Sequence, residues 1–457
     1  MPDPDALCDL GIALNNAGRH AEAAEALRKA LELRPDFTDA RFNLGTAYAA
    51  LGRTDEALAC FHAVLERAPR SADTYSNIGA VLQERGELDA AVRAYERALE
   101  LRPDLVEALN NMGTLLEDSR RRGEAMAFYR RALAADPRSA RAAYNLGLAH
   151  LRQFEFEEGW RYCEARFHTA PPVTPPRRFP FPELAAADLG RGHTTAIWPE
   201  QGVGDQVLYS TLLPELEARG ERFVLEADAR LASAYRRAHP SWKVISDAQF
   251  AGCDRYIAIG SLPRLLRPDR ASFARQPRSV LAADPTLSPK SNGSRLIGIS
   301  WRSFQPALRR AQRHKKSAPL AMFLPLSRLP GVELLDLQYG ETADERAAFA
   351  AAGGALRHLD GLDLFSDLEG VLAAISACDL VVTTSNVTAH FAGALGKETL
   401  LVYPGAESPF YYWVPADDGR CLWYPSVRIV TAPELDTWQK VIERVLNTSP
   451  LAPPRSP

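Results

Sequence analysis

One interval governs the first third of the chain. Gly11, Gly45, Gly79, Gly113 and Gly147 stand 34 residues apart, and so do Pro35, Pro69, Pro103, Pro137 and Pro171. Ala23, Ala57, Ala91 and Ala125 keep the same interval, with Gly159 at the fifth place. A small residue at a fixed place in each unit lets two helices approach closely, and the proline stops the second helix before the next unit begins. One such unit cannot bury its own apolar face, so the units must stack into a continuous core and leave a concave surface.

The rest of the 457 residues is long enough for one or two further domains, at 46% apolar content. Cys8, Cys60, Cys163, Cys253, Cys378 and Cys421 are far apart and form no C-x-x-C pair, which predicts neither a disulfide framework nor a zinc site. MPDPDALCDL has no basic stretch leading into an apolar core, and no apolar run approaches a membrane span. The expectation is therefore a cytoplasmic protein. Lys+Arg 54 against Asp+Glu 57 gives a formal charge of -3, which leaves no footprint for nucleic acid.

The 34-residue unit resembles the tetratricopeptide repeat, in five copies over about residues 4–171. Asn43, Asn77, Asn111 and Asn145 form a further column, two residues before each glycine, with Asp9 at that place in the first unit. In O-linked N-acetylglucosamine transferases a similar column clamps the backbone of an acceptor peptide. A carboxamide suits that work because it donates to a C=O and accepts from an N–H. The other reading, that asparagine here braces the repeat itself, is equally open.

From about Phe167 the pattern changes, and TAPPVTPPRRFPFPELAAADLGRGH holds six prolines without helical periodicity. This predicts an extended, semi-rigid segment packed along the next domain. Beyond it, short apolar runs at 194–199, 222–227, 243–246, 254–260, 296–302, 332–339, 380–385, 398–403 and 427–431 read as strands. Helical stretches at 205–219, 229–238, 318–328, 342–352, 367–377, 387–396 and 433–446 fall between most of them. That alternation predicts parallel sheets with helices on both faces. The irregular stretch 268–294 is a place where two lobes could part.

Ligands of such sheets bind beyond the C-terminal strand ends, and three places there carry chemistry. In PEQGVGDQVLY a strand runs into a glycine-rich turn and a helix near Asp205, which either works in the site or caps its helix. SWRSFQPALRRAQRHKKSAPL is a cationic loop with Arg302, Arg309, Arg310, Arg313, Lys315 and Lys316; a diphosphate would suit it, and so would a role as solvated surface. TTSNVTAHFAGALG opens a helix whose first N–H groups, with the hydroxyls of Ser385 and Thr388, suit a phosphate. His390 lies one turn along, where a packed histidine is as natural as a ligand contact.

The phrases WPEQGVGDQ, IGISWRS, LDLQYG, TTSNVTAHFAGALG and WYPSVRI together resemble the heptosyltransferase-like GT-B glycosyltransferases over about residues 190–432. With the repeats, the architecture is similar to O-linked N-acetylglucosamine transferases and bacterial flagellin glycosyltransferases. The resemblance implies an α plus α/β protein: a tetratricopeptide solenoid over 1–168, a Pro-rich linker over 169–193, and a GT-B domain of two Rossmann-like lobes, 194–285 and 294–449. It implies Asp205 as general base, and a nucleotide-sugar donor met by Gly204, Gln206, Arg302, Lys316, Gln338, Ser385, Asn386, Thr388 and His390. Ser385-Asn386-Val387 stands where heptosyltransferases usually carry Asp-Thr-Gly, so a heptose donor does not follow.

The expected function is sugar transfer to a protein acceptor held by the repeats, with no metal and no cofactor beyond the donor; no Asp-x-Asp pair closes a strand beside the phosphate-type loops. Two other readings are a protein-binding scaffold whose GT-B domain has lost turnover, and a transferase acting on surface polysaccharide.

Overall fold

A computed structural model describes residues 3–200, 202–289, 293–303, 317–404, 410–413, 415–432 and 438–448. The chain divides into two compact units, the first reaching Ala149 and the second holding His150–Phe167 with most of the chain from Pro172 onward.

The first unit is a series of antiparallel helix pairs: Pro4–Asn16 with His20–Leu33, Thr38–Ala50 with Thr54–Arg67, Ala72–Arg85 with Leu88–Leu101, and Val106–Asp118 with Arg122–Ala135. The periodic glycine is explained by what stands opposite it. A β-carbon on Gly45 would come within 2.7 Å of the Phe61 ring, one on Gly79 within 2.6 Å of Tyr95, and one on Gly113 within 2.5 Å of Tyr129. Each glycine thus makes room for the ring of the paired helix, and those rings are fully buried. The turn inside each pair demands a left-handed residue. Gly18, Gly52 and Gly86 supply it at φ 74°, 72° and 82°, whereas Arg120 and Phe154 occupy the same place at 63° and 62°.

The helix Ala140–Arg152 runs into the second unit, which begins with the helix Phe156–Cys163 and a 3₁₀ turn, Glu164–Phe167. The Pro-rich segment then lies along a sheet edge. Phe179 stacks on Tyr256 at 4.6 Å, and the Leu184 N–H donates to the Tyr256 carbonyl at 2.8 Å.

Two parallel sheets follow, separated in sequence by the expected irregular stretch. The first contains β1 (Thr194–Trp198), β2 (Arg222–Glu226), β3 (Lys243–Ile245) and β4 (Arg255–Ala258) in the order β3-β2-β1-β4. The second contains β5 (Arg295–Ser300), β6 (Val332–Asp336), β7 (Leu380–Thr383), β8 (Thr399–Pro404) and β9 (Val427–Ala432) in the order β6-β5-β7-β8-β9. All ladders between these strands are parallel. Burial on both faces accounts for the unbroken apolar runs: Ile297, Ile299, Leu334, Val382, Leu400 and Val402 share one core with Val441, Ile442 and Val445 of the helix Trp438–Leu446.

Some elements are shorter than the sequence suggests. The single helix over 205–219 is two, Val203–Ser210 and Leu213–Ala218, the second opening on Pro214. The stretch 318–328 is a 3₁₀ turn, Leu320–Phe323, followed by the short helix Leu324–Ser327. β6 stops at Asp336 because the Asp336 carboxylate accepts from the Gln338 N–H at 2.9 Å and turns the chain.

The order of strands decides where a ligand can sit. Chain direction reverses its sideways progress between β1 and β4 in one sheet and between β5 and β7 in the other, and a crevice opens past the strand ends at each reversal. The segments leaving β1, β5 and β7 are Pro199–Gly204, Trp301–Ser303 and Thr384–Asn386, three of the places marked by the sequence.

Candidate functional site

A cavity of about 430 Å³ lies where those segments meet. Gly204 and Asp205 come from the helix after β1, Ser303 from the loop after β5, and Ser385, Asn386 and His390 from the segment after β7. Arg230, Tyr339, Phe365, Phe391 and Tyr412 line it as well. The size suits a small organic ligand rather than a folded chain.

The wall of this cavity carries a carboxylate on a helix that packs against the imidazole-bearing helix Val387–Ala394. Asp205 is half-buried on the helix Val203–Ser210, and burial first, then the neighbouring Glu200 charge, pushes its carboxyl up to about 7. His390 is buried, and burial pushes its imidazole down to about 3, so it stands neutral. Its Nδ1 pairs with the Tyr424 hydroxyl at 3.1 Å, and its ring lies 4.7 Å from Trp413 and 5.3 Å from Tyr412.

The other predicted residues divide into wall and frame. Ser385 lines the cavity, its Oγ accepting from Trp413 Nε1 at 3.0 Å. Asn386 caps the helix Val387–Ala394 by position, yet its carboxamide works as a brace: Nδ2 donates to Ser300 Oγ at 2.8 Å and to the Arg302 carbonyl at 3.1 Å, while Oδ1 accepts from Thr383 Oγ1 at 3.1 Å. Gln338 is likewise bonded through both ends of its carboxamide. Its Oε1 accepts from the Trp301 and Arg302 N–H groups at 2.8 and 2.6 Å and from Ser300 Oγ at 3.1 Å, while Nε2 donates to the Tyr339 carbonyl at 3.0 Å. Arg302 donates to the Glu341 carbonyl at 2.6 Å and pairs with Glu345 at 3.3 Å. Gln206 faces away from the cavity and accepts from the Asp228 N–H at 3.0 Å, and Thr388 is buried off the wall. Lys316, with Arg309, Arg310, Arg313 and Lys315, lies outside the described residues.

Several wall residues escaped the sequence reading. Arg230 is held by Asp228 through Nε at 2.9 Å and a terminal nitrogen at 2.7 Å, and its other terminal nitrogen donates to the Phe365 carbonyl at 3.0 Å across the cavity mouth. Phe365 is 67% exposed there, its N–H fixed by Asp363 at 2.9 Å. The available signal was the run Glu226-Ala227-Asp228 just past β2, with Arg230 two residues on.

In the repeats, all four column asparagines are half-buried. Asn43 donates to the Asp39 carbonyl at 2.8 Å, Asn77 to Thr46 Oγ1 at 3.5 Å and Asn145 to Asn110 Oδ1 at 2.9 Å. These bonds tie one repeat to itself or to its neighbour.

Family models of the tetratricopeptide repeat match residues 14–78 and 70–138. The N-terminal region is built of tetratricopeptide repeats. Such repeats imply protein or peptide partners. Among solved structures, the chain is similar to a thermophilic tetratricopeptide-repeat protein of Thermus thermophilus, at 21% identity and a TM-score of 0.34, over 37% of this chain and 92% of that one. It is also similar to pilF of Pseudomonas aeruginosa, at 18% identity and a TM-score of 0.34, over 48% and 86%. A curated relative, protein FlbA of Caulobacter vibrioides, is 31% identical over an alignment of 317 residues that covers 63% of this chain. The chain spans about half the length of that relative, 51%. Since 63% of the chain exceeds the whole repeat region, the likeness extends into the α/β part. Among the described residues no helix is long and apolar enough to cross a membrane.

Proposed function

We propose that the chain transfers a sugar from a nucleotide-sugar to a hydroxyl of a protein acceptor engaged by the repeats, in a GT-B domain formed by the two parallel sheets, with Asp205 as general base and no metal. The observation that carries this reading is a carboxylate pushed up to about 7 in a cavity that the N-terminus of the eight-residue helix Val387–Ala394 also lines. A base of that proton affinity exchanges its proton near neutral pH. Asp205 takes the acceptor proton as the acceptor oxygen bonds to the anomeric carbon, and the bond from that carbon to the diphosphate oxygen breaks. The free N–H groups at the helix start stabilise the charge on the leaving diphosphate, with the Ser303 hydroxyl beside them. His390, neutral, contributes shape and a hydrogen bond rather than charge.

The scaffold reading keeps one specific support: Arg302, Gln338 and Asn386 spend their polar groups inside the protein. A thermal-shift series with UDP-, GDP-, ADP-, dTDP- and CMP-sugars separates the two, because a ligand that binds only the folded state raises Tm. A selective rise, with turnover lost in Asp205→Asn and donor affinity within a few-fold of the original, supports transfer. No rise with any donor at millimolar concentration favours the scaffold.

A further inference from the structure

Behind Asp205 lies a buried ionic cluster that the transfer chemistry leaves unexplained. Arg166, from the 3₁₀ turn after the last repeat helix, donates through Nε to Glu200 Oε1 at 2.6 Å and through a terminal nitrogen to Glu164 Oε1 at 2.7 Å. Its remaining nitrogen donates to Ser261 Oγ at 2.7 Å. The second oxygen of Glu200 accepts from the Gly260 N–H at 2.6 Å, at the end of β4. Arg166 and Glu200 are both almost wholly buried. Glu200 stands two residues before Gly202, so this clamp fixes the chain just where it turns toward Asp205. A buried pair of this kind is a weak source of stability, since desolvation of both charges offsets their attraction. Its position calls for another explanation.

We propose that Glu200 is a positioning residue for Asp205: the Arg166–Glu200 pair fixes the turn that carries Asp205 and sets a second carboxylate behind it. One guanidinium between the carboxylates of Glu164 and Glu200 leaves a net negative charge in the cluster. Among the described residues, the other groups around Asp205 do not supply one. Tyr209 and Tyr411 are half-buried and Tyr424 is buried, and desolvation pushes all three phenols well above their usual range; His390 is neutral, and Arg230 is paired with Asp228. Glu200 is accordingly the charge that joins burial in holding the proton on Asp205. A second tie reaches the same helix, because Trp160 of the helix Phe156–Cys163 packs edge-on against Tyr411 at 5.7 Å, and the Tyr411 hydroxyl bonds Tyr209, one turn from Asp205.

The role assigned to Glu200 rests on Asp205 serving as base, but its test reads protonation and needs no turnover. The stability difference between the full chain and its Asp205→Asn variant is measured by chemical denaturation from pH 4 to pH 9, and repeated in a Glu200→Gln background. Gln keeps an acceptor for the Gly260 N–H, and Arg166 keeps Glu164. The difference is expected to level off at a lower pH in the Glu200→Gln background; the same pH in both backgrounds overturns the proposal. If Glu200→Gln does not fold, Gly260→Ala carries the test, since its methyl would run into Glu200 Oε2 with both charges kept. A moved levelling point then supports the role, and an unmoved one overturns it.

Discussion

Gly204 lies against the imidazole of His390, so close that a β-carbon there would come within 3.1 Å of Cδ2. This contact joins the helix after β1 to the helix after β7, and both residues line the cavity. His390 cannot retreat, because Trp413, Tyr412 and Tyr424 surround it. Gly204→Val is therefore expected to destabilise the second unit by about 1–3 kcal/mol through overpacking and to weaken nucleotide-sugar binding. Denaturant titration and donor binding check it; a variant of unchanged stability and affinity would show that the helices separate freely.

Asp205 makes stability depend on pH in a defined direction. Its folded carboxyl sits at about 7 against 3.8 when unfolded, so its contribution is fully present below 3.8 and is lost as pH rises through about 7. Asp205→Asn should thus gain on the original chain between pH 4 and 7 and hold that advantage above it. The whole step is at most about 4 kcal/mol. A flat difference across this range would mean that Asp205 ionises as an ordinary surface carboxylate.

Asn386 looks like a donor ligand in sequence and behaves as a brace in structure. Asn386→Ala removes donors from the buried Ser300 hydroxyl and from the Arg302 carbonyl, and is expected to cost about 1–3 kcal/mol. Melting in the absence of ligand measures this. A loss of donor affinity with unchanged Tm would instead make the Asn386 carboxamide, which already lines the cavity, a ligand contact rather than a brace.

Arg120 holds the left-handed place that glycine takes in the first three repeats. Arg120→Gly relieves the clash of its β-carbon at a small cost in chain entropy, with an expected net gain of about 0.5–1 kcal/mol in the stability of the repeat unit. Chemical denaturation followed by helical circular dichroism reads the change; a loss of stability would mean that the arginine side chain outweighs the backbone strain.

Phe365 is pinned by its backbone at the cavity mouth and leaves its ring in solvent. Phe365→Ala should leave Tm unchanged and weaken substrate binding, with Phe365→Tyr restoring it. Equal binding by all three chains would remove the ring from any role at the mouth.

The repeats were legible because their physics is local. Gly45 and Phe61 meet across one hairpin of helices, and the next unit repeats the contact 34 residues on, so spacing alone carries the pattern. The parallel strands were legible for a related reason, since a strand buried on both faces shows as an apolar run whatever its neighbours are. The roles of polar residues were not. Gln338 and Asn386 stand in suggestive phrases, but whether a carboxamide faces a ligand or a backbone depends on what lies within about 3 Å of it, and the partners that brace these two, Ser300, Trp301 and Arg302, come from 36 to 86 residues away.

Sequence by itself thus determined a repeat solenoid followed by parallel α/β structure, and placed Gly204, Asp205, Ser385 and His390 in segments that leave strand ends. Only the tertiary structure decided that these residues share one cavity, that Arg230 and Phe365 join them, and that Gln206 and Thr388 do not. Strand order and packing set those distances, and they also set the dielectric and charge around Asp205. A carboxyl's proton affinity follows from that environment, so the property on which the proposed chemistry depends belongs to the fold rather than to any motif.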